Sequence, residues 1–462
     1  MKVKDYNDTI IASITAIVGG SVSLIRISGD NAISITDKYF TGTDLTKQTG
    51  GRFFHGNFIN HHGKIIDDVI LLLYNSPNSY TGEDVVEISC HGNPFVVEEL
   101  IQQYLSAGCR MADPGEFSKR AFLNGKMDLL QAEAVADLIS AKSKRITENS
   151  IALVGGRLSE LILKLKEELI KIASLLTLDL DFSEEDLDII QADQIADSIN
   201  KARNTLEALI GTYNFGRLLN KGIEVLICGK PNVGKSSILN ALINQDRAIV
   251  SSTPGTTRDT IHEDVVIENI SIRFIDTAGI RITTDHIEAE GVLRSEAAFN
   301  KADIILLIID ISEGITEEDQ NLINKINASY KNRSIIIGNK KDKSIELLTK
   351  KEIYQTGIPV LEVSAKTGNG IIELQKSIIN MVKVNTNELN EDILITNKRQ
   401  YEILKKTLES LDHALDSIKN NFGYEFISVD MKTAIDLLSE ITGEISTDDI
   451  LNNIFSNFCI GK

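Results

Sequence analysis

Cysteine is scarce in this chain. Its 462 residues hold four, at 90, 109, 228 and 459. That scatter matches neither a disulfide framework nor a zinc-ligand spacing, and the cytosol is the expected compartment. No run of about 18 consecutive apolar residues occurs, so no transmembrane helix is expected. The first ten residues lack the charged-then-apolar pattern of a secretory signal. Basic charge is also in deficit, with 48 Lys and Arg against 66 Asp and Glu and a net charge of −18. A generally basic RNA-binding surface is thereby excluded; any RNA contact has to be a local patch or come through a partner. Hydrophobic residues make up 42% and charged residues 25%, as in ordinary soluble globular proteins. The length suits about three domains.

What is present is a phosphate loop. Residues 229–236 read Gly-Lys-Pro-Asn-Val-Gly-Lys-Ser, after a strand-like run at 222–228 and before a helical pattern at 237–243. A strand, a Gly-rich turn and a helix start form a nest of backbone N–H groups that holds a β-phosphate. Asn232, Val233, Gly234, Lys235, Ser236 and Ser237 line that nest. Lys235 is expected to reach the β/γ-phosphates, and the Ser236 hydroxyl to ligate Mg²⁺.

Four further elements follow in order. Gly255, Thr256, Thr257, Arg258 and Asp259, after Ser251, Ser252, Thr253 and Pro254, lie in a Ser/Thr/Pro/Gly stretch as expected of a switch loop, and Thr257 is the expected second hydroxyl on Mg²⁺. Asp276, Thr277, Ala278 and Gly279 follow a strand-like run. The aspartate would hold Mg²⁺ through water, and the Gly279 N–H would sense the γ-phosphate. Asn339, Lys340, Lys341 and Asp342 sit at a strand end, where a carboxylate can accept from N1–H and the 2-amino group of guanine. Adenine offers no such donor pair. Ser364, Ala365 and Lys366 follow another strand-like run and match the backbone support of the guanine carbonyl. The set defines a GTPase domain over about 219–382, with a mostly parallel sheet and helices on both faces. The residue after the Asp-x-x-Gly element is Ile280, where small GTPases carry the water-orienting Gln. Asp285, Glu288 and Glu290 are acidic candidates for that task; no arginine finger can be assigned among Arg258, Arg273 and Arg281.

Residues 1–120 read as mixed α/β, with strands expected at 21–27, 69–74 and 85–89. From Lys126 the pattern is helical. Leu158, Ile162, Leu165, Leu169, Ile172 and Leu176 form one seam. Leu404, Leu408, Leu411, Leu415 and Ile418 form a second. One helical bundle with the GTPase domain inserted is the economical reading, and an intermolecular coiled coil is its rival. The acidic run at 179–188 reads either as a solvated helix end or as a cation or partner contact. The chain ends Phe458-Cys-Ile-Gly-Lys462; Gly and Lys there are poor for prenylation. Cys459 is either half-buried on a terminal helix or a reactive thiol.

These motifs, the helical flanks, the segment Pro114-Gly-Glu-Phe-Ser-Lys-Arg-Ala-Phe-Leu-Asn-Gly-Lys126 and the tail together resemble the MnmE (TrmE) family of tRNA-modification GTPases, over essentially the whole chain. The resemblance implies an N-terminal α+β folate-binding and dimerisation domain at 1–120 and a helical domain split between 121–218 and 383–462. It implies a homodimer that works with the flavoprotein MnmG, which carries the FAD. Together they place a carboxymethylaminomethyl or aminomethyl group on C5 of the wobble uridine of certain tRNAs, using a tetrahydrofolate one-carbon unit. Arg26, Glu83, Lys126 and Lys462 would contact the folate. K⁺, bound by Asn232, Ser251, Thr253 and Thr256 where two GTPase domains meet, would replace the arginine finger. Lys235, Glu288 and Cys459 would be catalytic. Two departures stand out: residues 14–20 replace a Pro-Pro-Gly-rich turn, and Ser251 stands where Thr is common. A GTP-dependent assembly factor, for ribosomes for instance, is the alternative reading of the same phosphate-loop motifs.

Overall fold

The computed structural model describes residues 8–16, 20–141, 143–181, 192–245, 262–267, 270–276, 298–343, 356–384, 393–456, 458 and 461. The chain divides into two compact units. One comprises 1–136, 153–191 and 417–462; the other comprises 137–152 and 192–416. Among the described residues, no helix is long and apolar enough to cross a membrane.

The first unit is built on a seven-stranded sheet. Its strands are β1 (Ile10–Ser13), β2 (Val22–Ser28), β3 (Phe40–Thr41), β4 (Arg52–Ile59), β5 (Ile65–Tyr74), β6 (Val85–His91) and β7 (Arg110–Met111), in the order β3-β4-β5-β6-β2-β1-β7. All neighbours are antiparallel except β1 and β7. Alternation along the strands sends Ile25, Ile27, Val69, Leu71, Leu73, Val86 and Ile88 to one buried face. Helices α1 (Ala32–Tyr39) and α2 (Pro94–Ser106) supply Ile35, Val97, Leu100 and Tyr104 to the same core. The second of these starts as its sequence dictates: Asn93 caps it, accepting from the Phe95 N–H at 2.9 Å, and Pro94 occupies the first turn, where no N–H is needed.

Helices follow the sheet: α3 (Glu116–Leu123), α4 (Leu129–Ser140), α5 (Lys144–Val154) and α6 (Arg157–Asp181). The first expected seam is all buried, with Leu158, Ile162, Leu165, Leu169, Ile172 and Leu176 no more than 6% exposed. It packs along a later helix of the same unit, Tyr424–Thr442.

The second unit opens with α7 (Ala192–Gly211) and α8 (Tyr213–Lys221) and holds a six-stranded sheet. The strands are β8 (Ile223–Cys228), β9 (His262–Ile267), β10 (Ile270–Asp276), β11 (Ile304–Asp310), β12 (Ser334–Asn339) and β13 (Val360–Glu362), in the order β13-β12-β11-β8-β10-β9. Every pairing is parallel except that of the edge strand β9. The seven residues of β11 are all buried, as a strand covered on both faces requires. Helices α9 (Lys235–Gln245), α10 (Glu317–Ser329) and α11 (Ile371–Val384) accompany the sheet, and α12 (Lys398–Lys419), α13 (Tyr424–Thr442) and α14 (Asp448–Ser456) follow it. The P-loop GTPase domain is thus inserted in sequence between helical segments, as expected. The last strand, which precedes Ser364, has only three residues.

The second seam is rotated from the expected one. Leu404 and Leu411 are buried, but Leu408, Leu415 and Ile418 are only half-buried. The buried line runs instead through Ile403, Thr407, Ser410 and Ala414. Thr407 and Ser410 can sit there because each hydroxyl returns to the carbonyl four residues back, at 2.9 and 3.1 Å. A reading of apolar residues alone passes over them.

Candidate functional site

The nucleotide cradle lies at the carboxyl ends of the parallel strands, beside the central strand β8, whose neighbours are β10 and β11. Gly229 leaves β8 with φ 142°, and a Cβ there would stand 2.3 Å from the Ile308 carbonyl oxygen of β11. Gly234, at φ 97°, is equally obligatory; a Cβ would meet Asn339 Nδ2 at 2.3 Å. The turn thus lies against the strand ends and against the base-recognition motif. Lys235 opens α9, and its Nζ donates to the carbonyls of Gly229 and Lys230, both at 2.8 Å. Ser236 and Ser237 are exposed in the first turn of that helix, and Val233 is buried beneath the loop. Asn232 is exposed and left-handed, at φ 66°.

The base motif is built around Asn339, which is 2% exposed. Its Nδ2 donates to the Val233 carbonyl at 2.8 Å, and its Oδ1 accepts from the Ala365 N–H at 3.1 Å. One side chain therefore joins the phosphate loop, β12 and the 364–366 turn. The Ser364 hydroxyl donates to Asp342 Oδ1 at 2.7 Å and holds that carboxyl below its ordinary range. An exposed, fixed and fully ionised carboxylate is what a pair of guanine donors needs. Lys366 is also exposed.

Two supporting carboxylates were not singled out from the sequence. Asp310, at the end of β11, is 2% exposed and pairs with Lys340, whose backbone is left-handed at φ 66°. It also accepts from the Ser312 N–H and hydroxyl. Burial raises its pKa, but these partners outweigh burial and lower it overall. Asp319, fully buried in α10, pairs with Lys230 at 2.9 Å. The signals were present: an aspartate ends an otherwise apolar run, Ile304–Asp310, and Thr316-x-x-Asp319 is a capping box.

Ser251, Ser252, Thr253, Pro254, Gly255, Thr256, Thr257, Thr277, Ala278, Gly279, Glu288, Cys459 and Lys462 lie outside the described residues. Asp276 ends β10, in register with Ile227 of β8. Cys90, Cys109 and Cys228 are free and buried; burial pushes the first two thiols up to about 11 and the third up to about 12. None of the three is a nucleophile near neutral pH.

In the first unit, Arg26 pairs with Glu87 at 2.8 Å, and its guanidinium sits 4.7 Å from the Tyr80 ring centroid. With Tyr74, Tyr80 and Glu87 it lines a cavity of about 420 Å³. Glu83 lines a second, of about 410 Å³, with Arg120 and Asn124. The Ser28 hydroxyl donates to Glu83 Oε2 at 2.6 Å, and Arg120 Nη1 donates to Oε1 at 3.1 Å. Lys126 donates to the Pro77 carbonyl at 2.9 Å. Arg120, only 1% exposed, also bonds Asp8 and Glu116. The expected folate residues Arg26 and Glu83 thus line separate cavities; the signature segment at 114–126 lines the second, and Arg120 is the residue in it that the sequence reading passed over.

The tail returns to this unit. Gly461 has φ 98°, and a Cβ there would stand 2.5 Å from the Ser13 carbonyl oxygen of β1. Gly115, at φ 68°, is closed off in the same way by the Phe455 carbonyl oxygen, at 2.5 Å.

Strand order, phosphate loop and guanine motif define a P-loop GTP-binding protein. A family described as the MnmE helical domain matches residues 129–459, and one described as the GTP-binding protein TrmE N-terminus matches residues 9–126. The chain is 42% identical to the tRNA modification GTPase MnmE of Flavobacterium psychrophilum, covering 99% of this chain and 100% of that protein. It is 39% identical to that of Thermotoga maritima, covering 98% and 100%. The chain belongs to the MnmE family of tRNA modification GTPases, and it is a GTPase.

Proposed function

We propose that this chain, as a homodimer with the flavoprotein MnmG, uses GTP hydrolysis to drive modification of C5 of the tRNA wobble uridine, position 34. The group added is carboxymethylaminomethyl or aminomethyl, and its one-carbon unit comes from a tetrahydrofolate. The observation that carries the reading is the meeting of the tail with the N-terminal sheet: Gly461 seats against β1 in the unit that holds Arg26 and Glu83. Gly461, next in sequence to the proposed folate contact Lys462, lies against the sheet of the domain proposed to bind folate, which supports the reading.

The residues suit a folate. A pterin offers N–H donors to the Glu83 carboxylate, which Ser28 and Arg120 already hold in place. Arg26, Lys126 and Lys462 suit the anionic glutamyl end. In the GTPase domain, Ser236 and Thr257 would hold Mg²⁺, which spreads the charge of the β- and γ-phosphate oxygens. Asn232, exposed in the loop, with Ser251, Thr253 and Thr256, would hold K⁺ beside the same oxygens. Lys235 steadies the phosphates, Glu288 orients the attacking water, and Cys459 serves the modification step. The cytoplasm is the proposed location, where tRNA and GTP are both available.

The test is nucleoside analysis of tRNA from a strain lacking the gene. The modified wobble uridine is absent, the intact gene restores it, and Arg26→Ala does not. Normal wobble uridine in the deletion strain refutes the reading and favours an assembly factor. As a second arm, purified protein hydrolyses GTP much faster in K⁺ than in Na⁺ at equal ionic strength; equal rates remove the K⁺ site.

A further inference from the structure

The phosphate loop is held from outside by a buried ion pair. Lys230, second residue of the loop, is 13% exposed, and its Nζ lies 2.9 Å from Asp319 Oδ2. The same ammonium donates to Thr316 Oγ1 at 2.9 Å. Thr316 caps α10, and its own N–H and hydroxyl donate to Asp319 Oδ2 at 3.0 and 2.8 Å. Asp319 is fully buried, and its Oδ1 has no hydrogen-bond partner. Lys230 is the cation paired with that carboxylate in the structure, so the pair is costly to break from either side.

The backbone of the same residue does something else. Its carbonyl, with that of Gly229, accepts the ammonium of Lys235 at 2.8 Å. The phosphate-binding lysine therefore rests on two neutral oxygens whose position depends on where Lys230 is tied. To bind a nucleotide, Lys235 exchanges these oxygens for anionic phosphate oxygens, a stronger charge-assisted partner. The exchange is quick and selective only if the turn keeps its shape while the lysine leaves it.

We propose that Lys230 is a positioning residue for nucleotide binding: its ion pair with Asp319 docks the phosphate loop on the N-terminal turn of α10 and holds it open-shaped for the incoming phosphates. It touches no phosphate itself. The pair also links the two elements energetically. Nucleotide on the loop tightens the start of α10, and a loosened α10 weakens nucleotide binding by the same factor.

The experiment uses the full-length protein with mant-GDP binding, steady-state GTP hydrolysis and hydrogen exchange, none of which involves folate or tRNA. Lys230→Met raises the mant-GDP dissociation constant and the KM for GTP about ten-fold, while kcat falls no more than about three-fold. Lys230→Arg, which keeps a cation within reach of Asp319, restores KM to within about three-fold of the unaltered protein. In the unaltered protein, GDP slows amide exchange at residues 316–320, and in Lys230→Met that slowing is lost. An unchanged KM in Lys230→Met, a loss confined to kcat, or no recovery in Lys230→Arg overturns the proposal. Should Lys230→Met fail to fold, exchange in the unaltered protein decides: absence of GDP-dependent slowing at 316–320 overturns it.

Discussion

At the scale of single residues, Asp342 is the group proposed to discriminate between purines. Its carboxylate is exposed and fixed by Ser364, whose hydrogen bond lowers its pKa. Replacing it by Asn keeps the shape but turns one acceptor into a donor. Asp342→Asn is expected to weaken GDP binding by at least about 100-fold and to bind xanthosine diphosphate better than GDP, because xanthine presents a carbonyl where guanine has its amino group. Competition against mant-labelled nucleotides measures both; unchanged preference for GDP refutes the assignment. The position of Asp342 was legible because its motif has a short fixed spacing after a strand. Asp319 and Arg120 were not, because their roles depend on partners far off in the chain. Lys230 is 89 residues before Asp319, and Asp8 is 112 residues before Arg120. Each looks like an ordinary surface charge until the fold brings the opposite charge to it.

At the scale of elements, three strands of the first unit and the first seam were read well because their burial is mostly apolar. Ile65–Tyr74 and Val85–His91 cover the strands expected at 69–74 and 85–89, and Val22–Ser28 is the strand expected at 21–27 shifted by one residue. The second seam failed because α12 buries hydroxyl residues that satisfy themselves within the helix. The rotation makes a clear comparison. Leu411→Ala, at a fully buried position, is expected to cost about 2–5 kcal/mol, and Leu408→Ala, half-buried, well under that. Chemical denaturation of the two variants measures the difference; equal losses would restore the original register. Strands β4, β9 and β11 were not expected either, and the short strands β1, β3 and β7 were missed for a reason of their own. Two to four residues carry too little pattern, and their pairing partners decide them.

At the scale of the whole molecule, the first unit is held by a charge cluster as well as by its core. Burial opposes ionisation of Asp8 and of Glu116, but Arg110 and Arg120 outweigh it and lower both pKa values. A lowered carboxyl pKa stabilises the fold above the unfolded value and loses that stabilisation as pH falls through it. The melting temperature of this unit is therefore expected to drop between about pH 5 and pH 3, the window around and just below free Asp and Glu. Arg110→Met, which removes a partner of both carboxylates, flattens that dependence. Calorimetry over the pH range checks it, and an unaltered slope in the variant assigns the acid sensitivity elsewhere.

The first unit is also assembled from three separated stretches, the last being 417–462. A ribosome makes the chain from one end. The sheet and the signature segment at 114–126 are therefore complete long before Phe455, Phe458 and Gly461 exist to close over Gly115 and Ser13. At ordinary synthesis speeds that interval is on the order of tens of seconds, during which the intervening GTPase domain emerges and folds. For that time the apolar floor around Leu129 and Ala132 stands without its lid. The nascent chain is then a natural client for chaperones that shield exposed hydrophobic surface. Truncation before the last helix would leave it so permanently.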